Sequence, residues 1–366
     1  MKAVLIIVAL LFPAYAIADD AGPTRLHDQT FNTDQTWSGT VIIDGVVQFS
    51  SEASLTILPG TTVKFTRTDT DGDGIGENEI YIQGGLKAVG TKDRPIVFTS
   101  AEAHPRPGDW GAINIMVSEK KANVLEDCTV EYGYRGFHMH FSKGSLKGCT
   151  MRHNFLGIQC QDSELTVDGC EISDNRGAIV FKDSKLKITG NRITDNYWGI
   201  RFLYGEAEIV GNTITGSMIN GVTFRENKVR ASGNTLKGNR KGFSAEDADV
   251  ELADNVIQAN DESGIYLKHS KGRVTGNQID ANGNAGISIE DSAVGITGNN
   301  ITANANYAVD NNGSMDVDAS GNWWGSTDPV VVGKMIYDKA ADPKLGKVVC
   351  QPLAAKPFDI KAQVMK

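Results

Sequence analysis

The segment TDTDGDGIGENE, residues 68–79, sets five carboxylates within eleven positions: Asp69, Asp71, Asp73, Glu77 and Glu79. Alternate acids followed by Gly74, with the Ile75 carbonyl and Glu77 beyond, follow most of a calcium loop of the EF-hand kind. The match fails at the last position, where Ile80 replaces the bidentate Glu, so Glu79 or water would have to close the shell. The flanks TTVKF and EIYIQG alternate as strands do, which excludes an EF-hand domain. The expected calcium ligands are therefore Asp69, Asp71, Asp73, Ile75, Glu77 and Glu79, and the ion would order an excursion between strands. The competing reading is a hydrated acidic turn.

A second chemistry lies in His138-x-His140, which points two imidazoles to one side of a strand. If GAINIM is the preceding strand, Met116 lies over His140 and Asn114 over His138. Met116, His138 and His140 then form a set suited to copper. A third is a polar, partly basic patch made by His138, His140, Gln159, Gln161, Lys182, Arg201 and Arg225, with Tyr197 and Trp198 at a nearby turn. It offers hydrogen bonds, ion pairs and ring stacking to an extended polymer. The plain alternative is a solvated face.

What positions these residues is a repeat. Aligning LKGCTMRHN, ITGNRITDN, VTGNQIDAN and their relatives gives a column Cys128, Cys149, Cys170, Asn191, Asn212, Asn234, Asn255, Asn277, Asn299, Asn322, in steps of 21 to 23 residues. Asn recurs five positions later at 154, 175, 196, 239, 260, 282 and 304. Each unit also carries a Gly followed by alternating apolar residues, as in GIRFLY and GISIED, so these runs are strands with one buried face. A unit this short cannot bury a core alone, but stacked units can. The ten units imply a rod of roughly 43 Å at about 4.8 Å per coil. The Asn columns read as structural, since stacked amides bond to one another up the stack.

Phe137, Ile158, Ile179, Ile200 and Val222 then point inward, and the patch residues point outward. Glu246 and Glu290 fall two coils apart, about 9.6 Å, near the upper limit for an inverting glycosidase pair. Lys268 stands between them and Arg225 beside them, which is the pattern of a cross-strand charge ladder.

The repeat resembles the right-handed parallel β-helix of the pectin-lyase-like superfamily over nearly the whole chain after the first residues. LTILPGTTVKF, GGLKAVGTKDRPIVFTS and PGDWGAINI look like the opening coils of secreted bacterial members, and GNWWGSTDP with IYDKAADPKLGKVVCQP like the closing coil and tail. The resemblance implies an all-β fold, a single-stranded right-handed parallel β-helix solenoid with a short C-terminal capping segment. It also implies activities that are mostly polysaccharide lyases, hydrolases and epimerases. Their signatures are missing: no Gly-His-Gly or Asp-Pro-His occurs, and NTD at 32–34 is expected outside the coils. The reading therefore favours binding over catalysis, with a polysaccharide lyase or hydrolase as the rival. Similarity to β-helix proteins that help mature nitrous-oxide reductase keeps a periplasmic copper binder as a further rival.

Residues 1–18 read as a signal peptide, with Lys2, an apolar run and Ala16-Ile17-Ala18 at the cleavage site. The expected divisions are an N-terminal cap at 19–36, the β-helix at 37–325 and a C-terminal cap and tail at 326–366, with a short helix in PVVVGKMIYDKA. The chain has 366 residues and a net charge of −9 with scattered basic residues, which disfavours nucleic acid. No later stretch could span a membrane. The expectation is export to periplasm or medium, with a polysaccharide or another envelope component as partner, and the oligomeric state stays open. The five Cys are expected as mostly free buried thiols, because parallel Cβ vectors hold stacked sulfurs in poor disulfide geometry.

Overall fold

The structure, a computed structural model, describes residues 22–118 and 121–360. The signal peptide expected at 1–18 lies outside the described residues. Every coil contributes one short strand to a 13-stranded parallel sheet that begins at Thr24–Leu26 and ends at Asn300–Thr302. Two further strands per coil build a 24-stranded array. One coil illustrates the path: Asn220–Arg225, then Lys228–Ser232, then Thr235–Lys237, with the chain returning one level up at Lys241–Glu246. Parallel crossovers of this kind are right-handed, because only that hand packs the return strand on the sheet.

Register confirms which residues point inward. Phe137, Ile158, Ile179 and Ile200 stack in that order, and Val222 pairs with Phe243. All are fully buried. Aromatic rings pack in a row in mid-rod, with Phe181 stacked on Phe202 at 4.3 Å between centroids and Phe202 meeting Phe224 edge to face at 4.8 Å. Stacked and edge-to-face pairs at this spacing both add to the stability gained from the area they bury.

The Asn columns are hydrogen-bonded ladders. In each rung the Oδ1 of one Asn accepts the backbone N–H and the Nδ2 of the Asn one coil below. Asn212 donates to Asn234 Oδ1 through both groups, at 2.9 and 3.0 Å, and Asn234 to Asn255 at 3.0 and 2.9 Å. The residue before each rung must adopt a left-handed backbone, which is why Gly190, Gly211 and Gly233 stand there with φ of 61° to 63°. The second column runs the same way, with Ser217 replacing one Asn and its N–H bonded to Asn239 Oδ1. A third ladder of serines caps the turn between the two longer strands, as in Ser142 N–H to Ser163 Oγ and Ser163 N–H to Ser184 Oγ.

Cys128, Cys149 and Cys170 occupy the Asn column, are buried and free, and bond to backbone carbonyls such as Ala88 and Leu125. Cys160 is also buried among apolar groups, which pushes its thiol up to about 12.

Two boundaries differ from expectation. Residues 24–37 are a coil rather than a cap: Thr24–Leu26, Gln29–Phe31 and Gln35–Trp37 each pair with the next coil. Asn32–Asp34 therefore sits at a turn inside the solenoid, where Asp34 Oδ1 accepts the Ser54 N–H at 2.8 Å. At the other end the helix is short, Pro329–Gly333, capped by Asp328 Oδ1 accepting Val330 N–H at 2.8 Å. The chain then re-enters the sheet at Ile336–Tyr337, paired with Val309 and Asp310. Pairing with an open strand edge satisfies backbone groups that a longer helix would leave exposed.

Candidate functional site

The outward residues form the two expected columns. His138, Gln159, Val180 and Arg201 stack in register, as do His140, Gln161, Lys182 and Leu203. Gln159, Gln161, Lys182 and Arg201 rim a shallow hollow of about 220 Å³ whose floor includes Val180 and Leu203. Arg225 falls outside it, held 3.7 Å from Glu246. Lys268 closes on Glu290 at 2.8 Å, so this stretch is a charge ladder, as expected.

Beside the hollow runs a feature that the strand pattern did not single out. Tyr134, Phe155, Arg176 and Tyr197 are spaced by 21 residues and stack along the turn edge. The Arg176 guanidinium lies 4.8 Å from the Phe155 ring centre and 5.9 Å from both Tyr197 and Trp198. Arg201 covers Trp198 at 4.9 Å. The common spacing was the available signal, hidden because the position alternates between aromatic and cationic types. A guanidinium between rings is held flat without losing its outward donors.

At the N-terminal end of the face the structure joins three groups into a line. Asn114 Nδ2 donates to Glu79 Oε2 at 2.7 Å, and Asn114 Oδ1 lies 2.7 Å from His138 Nδ1. With the Asn amide fixed by Glu79, His138 must carry its hydrogen on Nδ1, which leaves a lone pair on Nε2. That Nε2 is buried and has no partner. Burial, with the nearby Arg135 and His140 charges, holds His138 down at about 3, so the ring is neutral. Burial also lowers His140, and burial raises Glu79 against the opposing pull of Asn114 and Arg135. His138 and His140 meet edge to face, 4.8 Å between centroids, and Met116 pairs in register with His140.

This donor set fits a copper ion on two counts. The imidazole is neutral, and its far nitrogen is oriented by a hydrogen bond, as metal-bound histidines usually are.

The acidic loop is only partly assembled. Asp69, Asp71 and Asp73 bring one oxygen each within 4.8 Å of the others. Glu77 instead accepts from the Thr70 N–H at 2.7 Å and its hydroxyl at 2.5 Å, which holds its carboxyl below the usual range. Glu79 is turned to Asn114, and Arg67 reaches in to bond Asp69 at 2.8 Å and the Gly74 carbonyl at 3.0 Å. The expected six ligands thus divide into an aspartate trio with the Ile75 segment beside it and two glutamates committed elsewhere.

The stacked parallel coils and outward columns define a parallel β-helix protein whose chemistry is displayed on sheet faces. Family models agree: residues 109–236 match "Right handed beta helix region", 28–147 match "Pectate-lyase like beta helix domain", and 186–336 match "Periplasmic copper-binding protein (NosD)". The chain is thus a right-handed parallel β-helix, and the two β-helix family models support its placement in the pectin-lyase-like superfamily. A mutant of the periplasmic alginate epimerase AlgG is similar in structure, with a TM-score of 0.54 and 14% identity over 78% of this chain and 76% of that one. The A-module of the Azotobacter vinelandii mannuronan C-5 epimerase AlgE4 gives 0.41 and 13%, over 76% and 86%. No curated protein matches the chain. The copper-binding family match begins beyond His140, and the only histidine inside it is His269. Among the described residues no helix is long and apolar enough to cross a membrane.

Proposed function

We propose that this β-helix is an exported binding protein that holds an extended polysaccharide along the face built by Gln159, Gln161, Lys182 and Arg201. The observation that carries the reading is the ring–guanidinium column Tyr134, Phe155, Arg176, Tyr197 beside an apolar-floored hollow rimmed with amides and cations. Sugar rings offer apolar faces to aromatics and hydroxyls to amides, and a linear chain can lie along the rod axis. The hollow's polar groups are donors and amide acceptors with no carboxylate among them, which suits holding better than acid–base cleavage. The alginate epimerases share the fold and act on a polysaccharide, which supports the substrate class. Affinity electrophoresis through gels containing neutral and acidic polysaccharides tests this. Retardation by at least one polymer, weakened about tenfold by Arg201→Ala, is expected, at roughly 1.4 kcal/mol for one lost charged contact. No retardation by any polymer overturns the reading. Release of shortened or unsaturated sugars would establish the enzyme instead.

A copper site at Met116, His138 and His140 is a second reading, favoured by the partnerless Nε2 of His138. Copper bound there would supply a soft Lewis-acidic centre. The chain's own part is to keep His138 neutral and aimed, through Glu79 and Asn114. One Cu(I) per chain in a chelator competition, lost in His138→Ala, is the expected result. Unchanged stoichiometry in that variant refutes it.

We also assign to Asp69, Asp71 and Asp73, with the Ile75 carbonyl, a structural calcium that orders the loop between Thr62–Phe65 and Glu79–Ile82. Asp71→Ala should abolish any rise in melting temperature caused by added calcium. A rise that persists in the variant removes the assignment.

A further inference from the structure

The second long strand of each coil lies beyond the serine turn from the proposed polysaccharide face and carries a pattern of its own. One outward column runs Lys143, Glu164, Lys185, Glu206, Lys228, Asp249, Lys271 in strict register. Two residues along each strand a second column runs Lys187, Glu208, Arg230, Glu251, Arg273. The two columns are in phase. Lys185 and Lys187 make a positive row, Glu206 and Glu208 a negative one, Lys228 and Arg230 a positive one, and the alternation continues to Lys271 and Arg273. The face is therefore banded across the rod, with a repeat of two coils, about 9.6 Å.

Alternating charge in a sheet commonly closes on itself through cross-strand pairs. Here it mostly does not. Lys143 reaches Glu164 at 3.1 Å and Arg230 reaches Glu251 at 2.8 Å. Among the described residues Lys185, Lys187, Glu206, Glu208, Lys228, Lys271 and Arg273 close no ion pair. On the polysaccharide side of the rod the same kind of ladder does close, at Arg225–Glu246 and Lys268–Glu290. The banded face also surrounds a trough of about 670 Å³ with Leu165, Leu186 and Ala207 at its floor.

We propose that this face docks on the same face of a second copy of the chain, with the two rods antiparallel. The charge order decides the geometry. Parallel rods related by a two-fold along the rod would set each band on its like. A two-fold parallel to the strands, passing between the Glu206 and Lys228 rows, reverses the order of bands. Glu206 and Glu208 then meet Lys228 and Arg230 of the second copy, Lys185 and Lys187 meet Asp249 and Glu251, and Glu164 meets Lys271. A slip of one coil puts like charges together at every row, so the register is set by repulsion as well as attraction. From Glu164 to Lys271 the face spans five coil steps, about 24 Å, by roughly 16 Å of strand, or about 400 Å² per copy. The total of about 800 Å² falls below the range of stable specific interfaces, so the dimer is weak, transient and sensitive to salt.

Sedimentation velocity of the exported chain tests this. The wild type should show a concentration-dependent dimer at about 20 mM salt that is lost by about 500 mM, where screening is short-ranged. Lys228→Glu with Arg230→Glu should sediment as a monomer at low salt, and so should Glu206→Lys with Glu208→Lys. An equimolar mixture of these two variants should dimerise, because each supplies the band the other has lost. Circular dichroism and melting temperature establish that both variants are folded. A wild type that stays monomeric at low salt, or variants that dimerise alone as well as the wild type, overturns the proposal. So does a mixture that stays monomeric.

Discussion

Asn234 offers the most direct test of what holds the coils together. Its side chain is fully buried and takes part in four hydrogen bonds: Nδ2 donates to the Ile209 carbonyl at 2.8 Å and to Asn255 Oδ1 at 2.9 Å, and Oδ1 accepts from both Asn212 groups. Asn234→Ala removes all four, but the losses are unequal. Asn255 Oδ1 keeps the Asn234 backbone N–H, and Asn212 Nδ2 keeps the carbonyls of Ile188 and Val210. The Asn212 N–H is left buried and unpaired, and the Ile209 carbonyl loses a donor. One orphaned donor and the weaker losses around it amount to about 3 kcal/mol. Asn234→Asp is the sharper perturbation, since an oxygen replaces Nδ2 against two acceptors. Its carboxyl should titrate above the usual range, so this variant should be least stable at neutral pH and recover as pH falls. Solenoids unfold by neighbouring units, so the assay is native-state hydrogen exchange at the Asn212 amide with guanidinium unfolding alongside. An Asn212 amide that stays as protected in Asn234→Ala as in the wild type would refute the ladder as a source of stability.

Two further outcomes follow from neighbouring features. Cys170 presents only a thiol to the Cys149 N–H, at 3.4 Å, so Cys170→Asn should extend the amide ladder and raise stability by about 1 kcal/mol in guanidinium unfolding. His138 is held near 3 when folded and returns to about 6.5 unfolded, so its unfolded form binds the extra proton. The folded state should thus lose about 1.4 kcal/mol per pH unit as pH falls from about 6.5 toward 4.5, measured by unfolding titrations. His138→Gln should flatten that slope.

Much of the architecture was legible because its causes are periodic. The Asn191-to-Asn322 column, the Gly (once Asp254) before each rung and the alternation in runs such as GIRFLY each impose one local geometry, and they agree with one another. His138 and His140 were placed on the outer face, with Asn114 and Met116 above them, by counting alone. What the count could not give was any contact that crosses coils through side chains. Glu79 lies in a segment that reads as calcium loop, and only three dimensions show it committed to Asn114 and His138. The first coil was read as a cap because its strands, such as Gln29–Phe31, are short and carry no Asn rung. The short closing helix was legible from Asp328 and Pro329, but the strand that follows it was not, since the pull of an open sheet edge on Ile336–Tyr337 is not visible in local propensity.

The Asn ladder has a direction. Each rung's N–H is satisfied by an amide one coil further along the chain, and the last, Asn322, turns its own amide to the Ala319 and Ile296 carbonyls. A chain emerging amino end first, from ribosome or export channel, therefore always carries one incomplete turn at its leading synthetic edge, waiting for residues not yet delivered. The ladder is complete only when Asn322 arrives, so a product truncated before it should end on a coil whose Asn299 N–H has lost its acceptor.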